Sequence, residues 1–323
     1  MKITFRRLAN GFLISLLCFA CAVAQKMLVA KGEPLPEPSG YKMMSNHFLN
    51  DRFKADEILN FKSAKAIPSD LFARMIQAGL PENELRRVLS EIWSLPDWSL
   101  RFSEMAESFE NQMLQKSQMT TELRLKAAMA WHFATFAHVY DSVPFWITEY
   151  ESKAEDTFQK AAIESTRFET FWFPFESKMY PSILVKPLEK KPPWPVLILV
   201  SSSTFSKEEL ALSFTPLAKH FALVVIETPG AILVKSSCNG VQQIHDFGKG
   251  FLDYLGLRNQ FNIDKVAIMG IGMGGNIACH IASAAPSYSS TVLISVPYAP
   301  AAYFNRLPNF AQLEMERIMA KSG

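Results

Sequence analysis

Hydrophobic and polar positions change their rhythm once along this chain, close to Ser165. Before it, apolar residues recur every three to four positions, the spacing of one helix face. Leu71, Phe72, Met75 and Ile76 follow the cap-type residues Ser69 and Asp70, and Gly79 is placed to close that helix. Pro81 suits the first turn of a second helix carrying Leu85, Val88, Leu89, Ile92 and Trp93. Asp97 is placed to cap a third, lined by Leu100, Met105 and Phe109. A fourth is expected from Thr121 to Tyr140 and a fifth from Pro144 to Glu164.

After Ser165, short apolar runs bounded by turn residues take over. Phe168–Phe175 and Met179–Lys186 predict two strands around a turn at Glu176, Ser177 and Lys178, their prolines suiting edge positions. Val196–Val200 and Ala222–Ile226 read as buried strands separated by a helix from Lys207 to Lys219. A helix over Val241–Leu257, a strand through Val266–Met269, another helix and a strand over Thr291–Val296 follow. A hairpin and then alternating strands and helices predict an α/β fold with a mostly parallel sheet. The expected organisation is a signal segment (1–24), a linker (25–50) around the Pro- and Gly-rich Gly32–Gly40, a helical N-terminal domain (51–165) and an α/β domain (166–323).

With 323 residues, 49% of them hydrophobic, the chain can bury a sizeable core, and a net charge of +2 gives no reason to expect a nucleic-acid partner. Lys190–Lys191 and the N-terminus are its basic clusters. At that N-terminus Lys2, Arg6 and Arg7 precede an apolar run from Leu8 to Ala24, ending in Ala22, Val23 and Ala24 before Gln25. This predicts a secretory signal cleaved after Ala24, with an uncleaved membrane anchor over 8–24 as the rival. A periplasmic or secreted location follows, the membrane being met only through that segment. Cys18 and Cys21 fall inside it; Cys238 and Cys279 remain, either paired or as two separate thiols. No CxxC or histidine cluster suggests a metal, and no cofactor is expected. His132 and His138, six residues apart, do not share a helix face well and read as packing or surface residues.

The chemistry-bearing stretch is Lys265–Ala278, KVAIMGIGMGGNIA: an apolar strand, four glycines, then a small-residue helix. Two architectures use that layout. In a nucleophile elbow, GxSxG, a serine stands on the strained turn, and here that position is Gly272. In a dinucleotide loop, GxGxxG, the glycines are Gly270, Gly272 and Gly275, but the acid needed about 20 residues later is missing: none occurs between Gly270 and Glu314. The elbow fits better.

Several stretches in order carry a likeness: RLKAAMAWHFATFAHVY (Arg124–Tyr140), SKEEL (Ser206–Leu210), ETPG (Glu227–Gly230) and FNIDKVAIMGIGMGG (Phe261–Gly275). With them the chain resembles the α/β-hydrolase superfamily from about Trp98 to Val296. More narrowly it resembles the fermentation-respiration switch protein–like esterases and their carbon–carbon hydrolase relatives, which carry a helical domain ahead of the sheet. The resemblance implies a triad in the order Ser, Asp or Glu, His. Here the last aspartate, Asp264, precedes the elbow, the last histidine, His280, lies on the elbow helix, and the chain up to Gly323 leaves no room for the two later strands that would carry acid and base. Glu314 and Glu316 read as solvated residues of a helical tail. The resemblance also places half an oxyanion hole on the backbone of Ser202 and Ser203 in the loop Ser201–Thr204, completed by Met273.

The expectation is therefore a partial hydrolase sheet, catalytically impaired as a pseudoenzyme or truncated product, whose pocket between helices and sheet takes a small apolar ester-like or aromatic ligand. The alternatives are an active ester or carbon–carbon hydrolase with a non-standard nucleophile, and a dinucleotide-binding oxidoreductase using Gly270, Gly272 and Gly275. A sheet ending at Thr291–Val296 would also leave an apolar edge that invites self-association into a homo-oligomer.

Overall fold

The structure, a computed structural model, describes residues 69–93, 95–115, 120–136, 145–202, 205–229, 240–285 and 287–296. The expected signal, linker, Cys18 and Cys21 lie outside the described residues, as do His138, Ser203, Cys238, Gly230 and the tail with Glu314 and Glu316. No described helix is long and apolar enough to cross a membrane.

Five helices come first: α1 (Ser69–Gln77), α2 (Glu82–Ser90), α3 (Leu95–Gln115), α4 (Thr120–Ala134) and α5 (Phe145–Glu164). Gly79 ends α1 as the pattern requires. At φ 99° it lets Leu80 N–H reach Met75 O (3.1 Å) while its own N–H reaches Ile76 O (2.9 Å), the double bond of a left-handed cap. Two expectations need correction. The second helix stops at Ser90, leaving Trp93 49% exposed beyond it. Asp97 does not cap α3; it lies in the first turn, and its Oδ2 accepts the Trp93 N–H at 3.1 Å, fastening the loop. The helices pack in chain order, α3 on α4 and α4 on α5. Trp98 is buried where they meet and donates its indole N–H to Phe133 O (2.8 Å), which satisfies its one polar atom.

The strands β1 (Phe168–Phe175), β2 (Lys178–Val185), β3 (Trp194–Val200), β4 (Ala222–Ile226), β5 (Phe261–Ile271) and β6 (Tyr288–Ile294) form one sheet in the order β1-β2-β4-β3-β5-β6. β1 and β2 are an antiparallel hairpin, β2 meets β4 antiparallel, and the remaining pairs are parallel. Helix α6 (Lys207–Ser213) follows β3, α7 (Val241–Gly256) follows β4, and α8 (Met273–Ala284) follows β5.

Side chains alternate across the sheet, so each face has its own core. Leu197, Leu199, Leu223 and Val225 face the core shared with α1–α6. Val196, Ile198, Val200, Val224 and Ile226 face the core shared with α7 and α8. In the latter, Phe173 packs edge-on against Phe251 with ring centroids 5.0 Å apart, and Tyr180 against Phe247 at 5.0 Å.

Three further boundaries differ from the pattern. The helix expected over Lys207–Lys219 breaks after Ser213 and resumes as a 3₁₀ turn, Thr215–Lys219. Pro216 explains the break, since it has no N–H to donate and its ring crowds the carbonyl four residues back. β5 begins at Phe261 rather than Val266, because Phe261 and Asn262 pair with Trp194 and Pro195 before a bulge. β6 begins at Tyr288 and ends at Ile294, where Ser295 turns at φ 51°.

Candidate functional site

Parallel strands align Ile226, Val200, Gly270 and Leu293 in one row across the C-terminal end of the sheet. The next residues in each strand, Glu227, Ser201 and Ile271, therefore stand along the edge where open α/β sheets place their sites. Gly272 follows immediately. Its backbone has φ 57° and ψ −126°, and it is the N-cap of α8. Its N–H donates to Ile294 O at 2.9 Å, tying the turn to the end of β6, and its carbonyl accepts the Gly275 N–H at 3.1 Å.

The surrounding glycines answer to space. A Cβ on Gly270 would stand 2.2 Å from Gly274 O, one on Gly274 2.6 Å from Val200 O, and one on Gly275 2.2 Å from a Val296 methyl. They let α8 start pressed against β5 and β3. At Gly272 a Cβ would meet nothing within 4 Å. Space there is open, and only the positive φ argues for glycine. This is the geometry of a nucleophile elbow, a side-chain position raised on a sharp strand-to-helix turn, with glycine in the raised position.

The other expected site residues are placed as follows. Met273 is the first residue of α8, where a helix leaves its N–H groups without an intrahelical acceptor. The Ser202 N–H, placed in the half oxyanion hole by the resemblance, donates to Phe205 O at 3.0 Å. The Ser201 N–H donates to Ile226 O at 3.0 Å. His280 lies eight residues along α8 from Gly272, roughly 12 Å at 1.5 Å per residue. It sits beside His245 of α7, ring centroids 6.0 Å apart, and Ser283 Oγ is 3.4 Å from His245 Nε2. Neither imidazole is brought to the elbow.

A buried ionic group that the sequence pattern did not disclose lies at the head of α6. Ser206 caps this helix, its Oγ accepting the Glu209 N–H at 3.2 Å. The next three side chains are charged, and all are buried. Lys207 reaches Glu155 of α5, Glu208 beside it and Glu227 past the end of β4. Glu209 takes a two-pronged bond from Arg74 of α1, Nη2 to Oε2 being 2.7 Å, and His132 Nε2 of α4 lies 2.9 Å from the same oxygen. The Arg74 guanidinium stacks 3.8 Å over the Phe205 ring. Burial works to raise the Glu209 carboxyl, but Arg74 and His132 outweigh it and hold it below its usual range. Likewise, burial opposes the charge on Lys207, yet Glu208, Glu227 and Glu155 hold the ammonium above its usual range. The only signal in the sequence was SKEEL itself, three successive charges opening a helix directly after a buried strand.

No family model matches the sequence, and a search of curated proteins finds no match. Solved structures do match. The 2,6-dihydroxy-pseudo-oxynicotine hydrolase superposes with a TM-score of 0.58 at 19% identity, over 67% of this chain and 62% of that one. Wild-type AbyA5 superposes with a TM-score of 0.58 at 17% identity, over 74% of this chain and 66% of its own. The chain thus spans slightly less than two thirds of the length of both. At these identities the likeness is one of fold. Strand order, the leading antiparallel hairpin, the elbow behind the fifth strand and these superpositions agree that this chain carries the α/β-hydrolase fold.

Proposed function

We propose that this chain uses a hydrolase fold without the hydrolase nucleophile, and that it binds a small apolar ester-like or aromatic molecule at the C-terminal edge of the sheet without turning it over. The observation that carries this reading is Gly272, which holds the elbow backbone at φ 57° with open space where a serine hydroxyl would stand. Glycine relieves a strain of about 1–3 kcal/mol that a side chain would bear there, and it leaves no oxygen to attack an acyl carbon. Further support comes from the histidines, since His132 is engaged by Glu209, and His245 and His280 lie together away from the turn.

The dinucleotide alternative draws no support from the topology. Its fingerprint opens a set of parallel strands, whereas here the glycines follow the fifth strand of a sheet that begins with an antiparallel hairpin.

The test uses the full chain with a fluorophosphonate serine probe and short-chain aryl esters, alongside calorimetric titration of a non-hydrolysable aryl phosphonate. No labelling and no turnover above background, together with saturable phosphonate binding, are expected. One matched protein is named for hydrolysis of 2,6-dihydroxy-pseudo-oxynicotine, so that compound belongs in the titration set. Labelling at Ser201 or Ser202 with ester turnover would replace this reading with an active hydrolase using a non-standard nucleophile.

A further inference from the structure

Lys207 faces three carboxylates. Its Nζ lies 2.8 Å from Glu208 Oε1, 2.8 Å from Glu227 Oε1 and 3.2 Å from Glu155 Oε1. The side chains of Lys207, Glu208 and Glu227 are 4%, 7% and 2% exposed, and Glu155 is 29% exposed. Three structural layers therefore meet on one ammonium: α5 through Glu155, α6 through Lys207 and Glu208, and the end of β4 through Glu227. With every carboxyl ionised, one positive charge would stand against three negative ones where water barely enters. Glu227 is the worst served. Among the described residues neither of its oxygens has a partner in hydrogen-bond geometry, despite the close approach of Lys207. An ionised carboxylate without directed donors is the costliest state a buried group can adopt.

We propose that Glu227 is a proton-operated latch between α5 and the sheet: protonated, it leaves Lys207 to hold Glu155, and on losing its proton to solvent it draws Lys207 to itself and releases Glu155. Glu155 is the member that lets go because it is the most exposed and loses least on returning to water. Only an O–H bond breaks, and the proton passes to water or buffer. Burial, with Glu208 and Glu155 adding to it against the pull of Lys207, pushes the Glu227 carboxyl up to about 7. A carboxyl raised on folding stabilises the fold below its unfolded value of 4.5, and that contribution is lost as pH rises toward 7. Among the described residues, the charged side chains acting on Glu227 are Lys207 and Glu208 of α6 and Glu155 of α5. From β2 Glu227 meets a backbone group, its N–H donating to Pro181 O at 3.4 Å, while Arg74, Glu209 and His132 pair among themselves.

Hydrogen–deuterium exchange of the full chain, corrected for intrinsic rates, tests the latch at about pH 5.5 and about pH 8.5. Opening of the α5 segment around Glu155 is expected to rise about tenfold between the two conditions. Glu227→Gln, which cannot ionise, should hold α5 at the low-pH value throughout. Glu155→Gln, changed on the partly exposed side of the cluster, should hold it at the high-pH value. His132→Gln should retain the step. The latch is overturned by a wild-type chain with no step in α5, by a step that survives Glu227→Gln or Glu155→Gln, or by one that disappears in His132→Gln.

Discussion

Gly274 and Val200 stand so close that a Cβ on the glycine would lie 2.6 Å from the valine carbonyl oxygen. That contact sets how deeply α8 seats against β3, and hence how sharply the chain turns at Gly272. The obstacle is backbone, which cannot swing aside as a side chain can. Gly274→Ala should therefore destabilise the fold by about 3 kcal/mol, the upper range of overpacking. Gly272→Ser meets no obstacle and bears only conformational strain, in the lower part of the same range of about 1–3 kcal/mol. Denaturant titration of the two variants checks the order, which fails if Gly272→Ser is the less stable.

Gly272→Ser should fold and yet gain no ester turnover. A serine hydroxyl needs a base within hydrogen-bond reach, and no described histidine has been brought to the turn. Burst kinetics and fluorophosphonate labelling provide the readout. Strong labelling of this variant would reveal a base near the elbow, and pairing it with His245→Ala or His280→Ala would identify which.

Arg74→Ala strands the buried Glu209 carboxylate with His132 as its remaining partner. Breaking one side of a buried pair costs about 3–5 kcal/mol. Arg74 is 17% exposed, which places the expectation at the lower end. Arg74→Lys should recover only part of the loss, because an ammonium supplies neither the two-pronged bond nor the stack on Phe205. Unfolding midpoints in urea would decide.

Acid sensitivity should have two limbs of opposite sign. The Glu208 and Glu209 carboxyls are held below the ordinary 4.5 by Lys207 and by Arg74 with His132, against the effect of burial. Such groups stabilise the fold above 4.5, and that contribution is lost as pH falls through their lower folded values. Glu227 works the other way between 4.5 and about 7. Stability plotted against pH should thus fall steeply on the acid side, and Glu209→Gln should flatten that fall while lowering stability at neutrality.

β6 pairs with β5 on one side, and among the described residues no strand pairs with its other side. Val292 and Leu293 on it are 38% and 42% exposed. An apolar strand in that position is prone to pair with another chain. Sedimentation should show concentration-dependent association, weakened by Leu293→Lys. Concentration-independent monomer behaviour of the unaltered chain would argue that this edge is covered.

The strands of the sheet's centre were legible because burial on both faces writes an uninterrupted apolar run. Ala222–Ile226 is both the run and the strand. β5 was legible only in its buried half. Its earlier half carries Asn262, Asp264 and Lys265, polar residues that write no apolar run: Asn262 pairs with Pro195 before the bulge, and its Oδ1 accepts the Asp264 N–H at 3.2 Å. Gly272 could be read as the elbow position, but the reason for Gly270 needed the α8 backbone folded back onto it, and those for Gly274 and Gly275 needed Val200 of β3 and Val296 just past β6. The charges of SKEEL disclose little by themselves: nothing local in Lys207, Glu208 and Glu209 reveals that Glu155, Glu227, Arg74 and His132 will close over them. The turn that joins the Ser202 N–H to Phe205 O is likewise absent from the pattern, which offers no periodicity across this loop.

The head of α6 joins partners far apart along the chain: Lys207 and Glu155 are separated by 52 residues, Glu209 and His132 by 77, Glu209 and Arg74 by 135. None of these bonds can form until distant segments have already met, and loop closure must come first. Interactions that mature late in folding are mostly missing from the transition state, so weakening them speeds unfolding far more than it slows folding. Substitutions at Lys207, Glu209 or Arg74 should accordingly shorten the lifetime of the native chain while leaving the refolding arm of a chevron nearly in place.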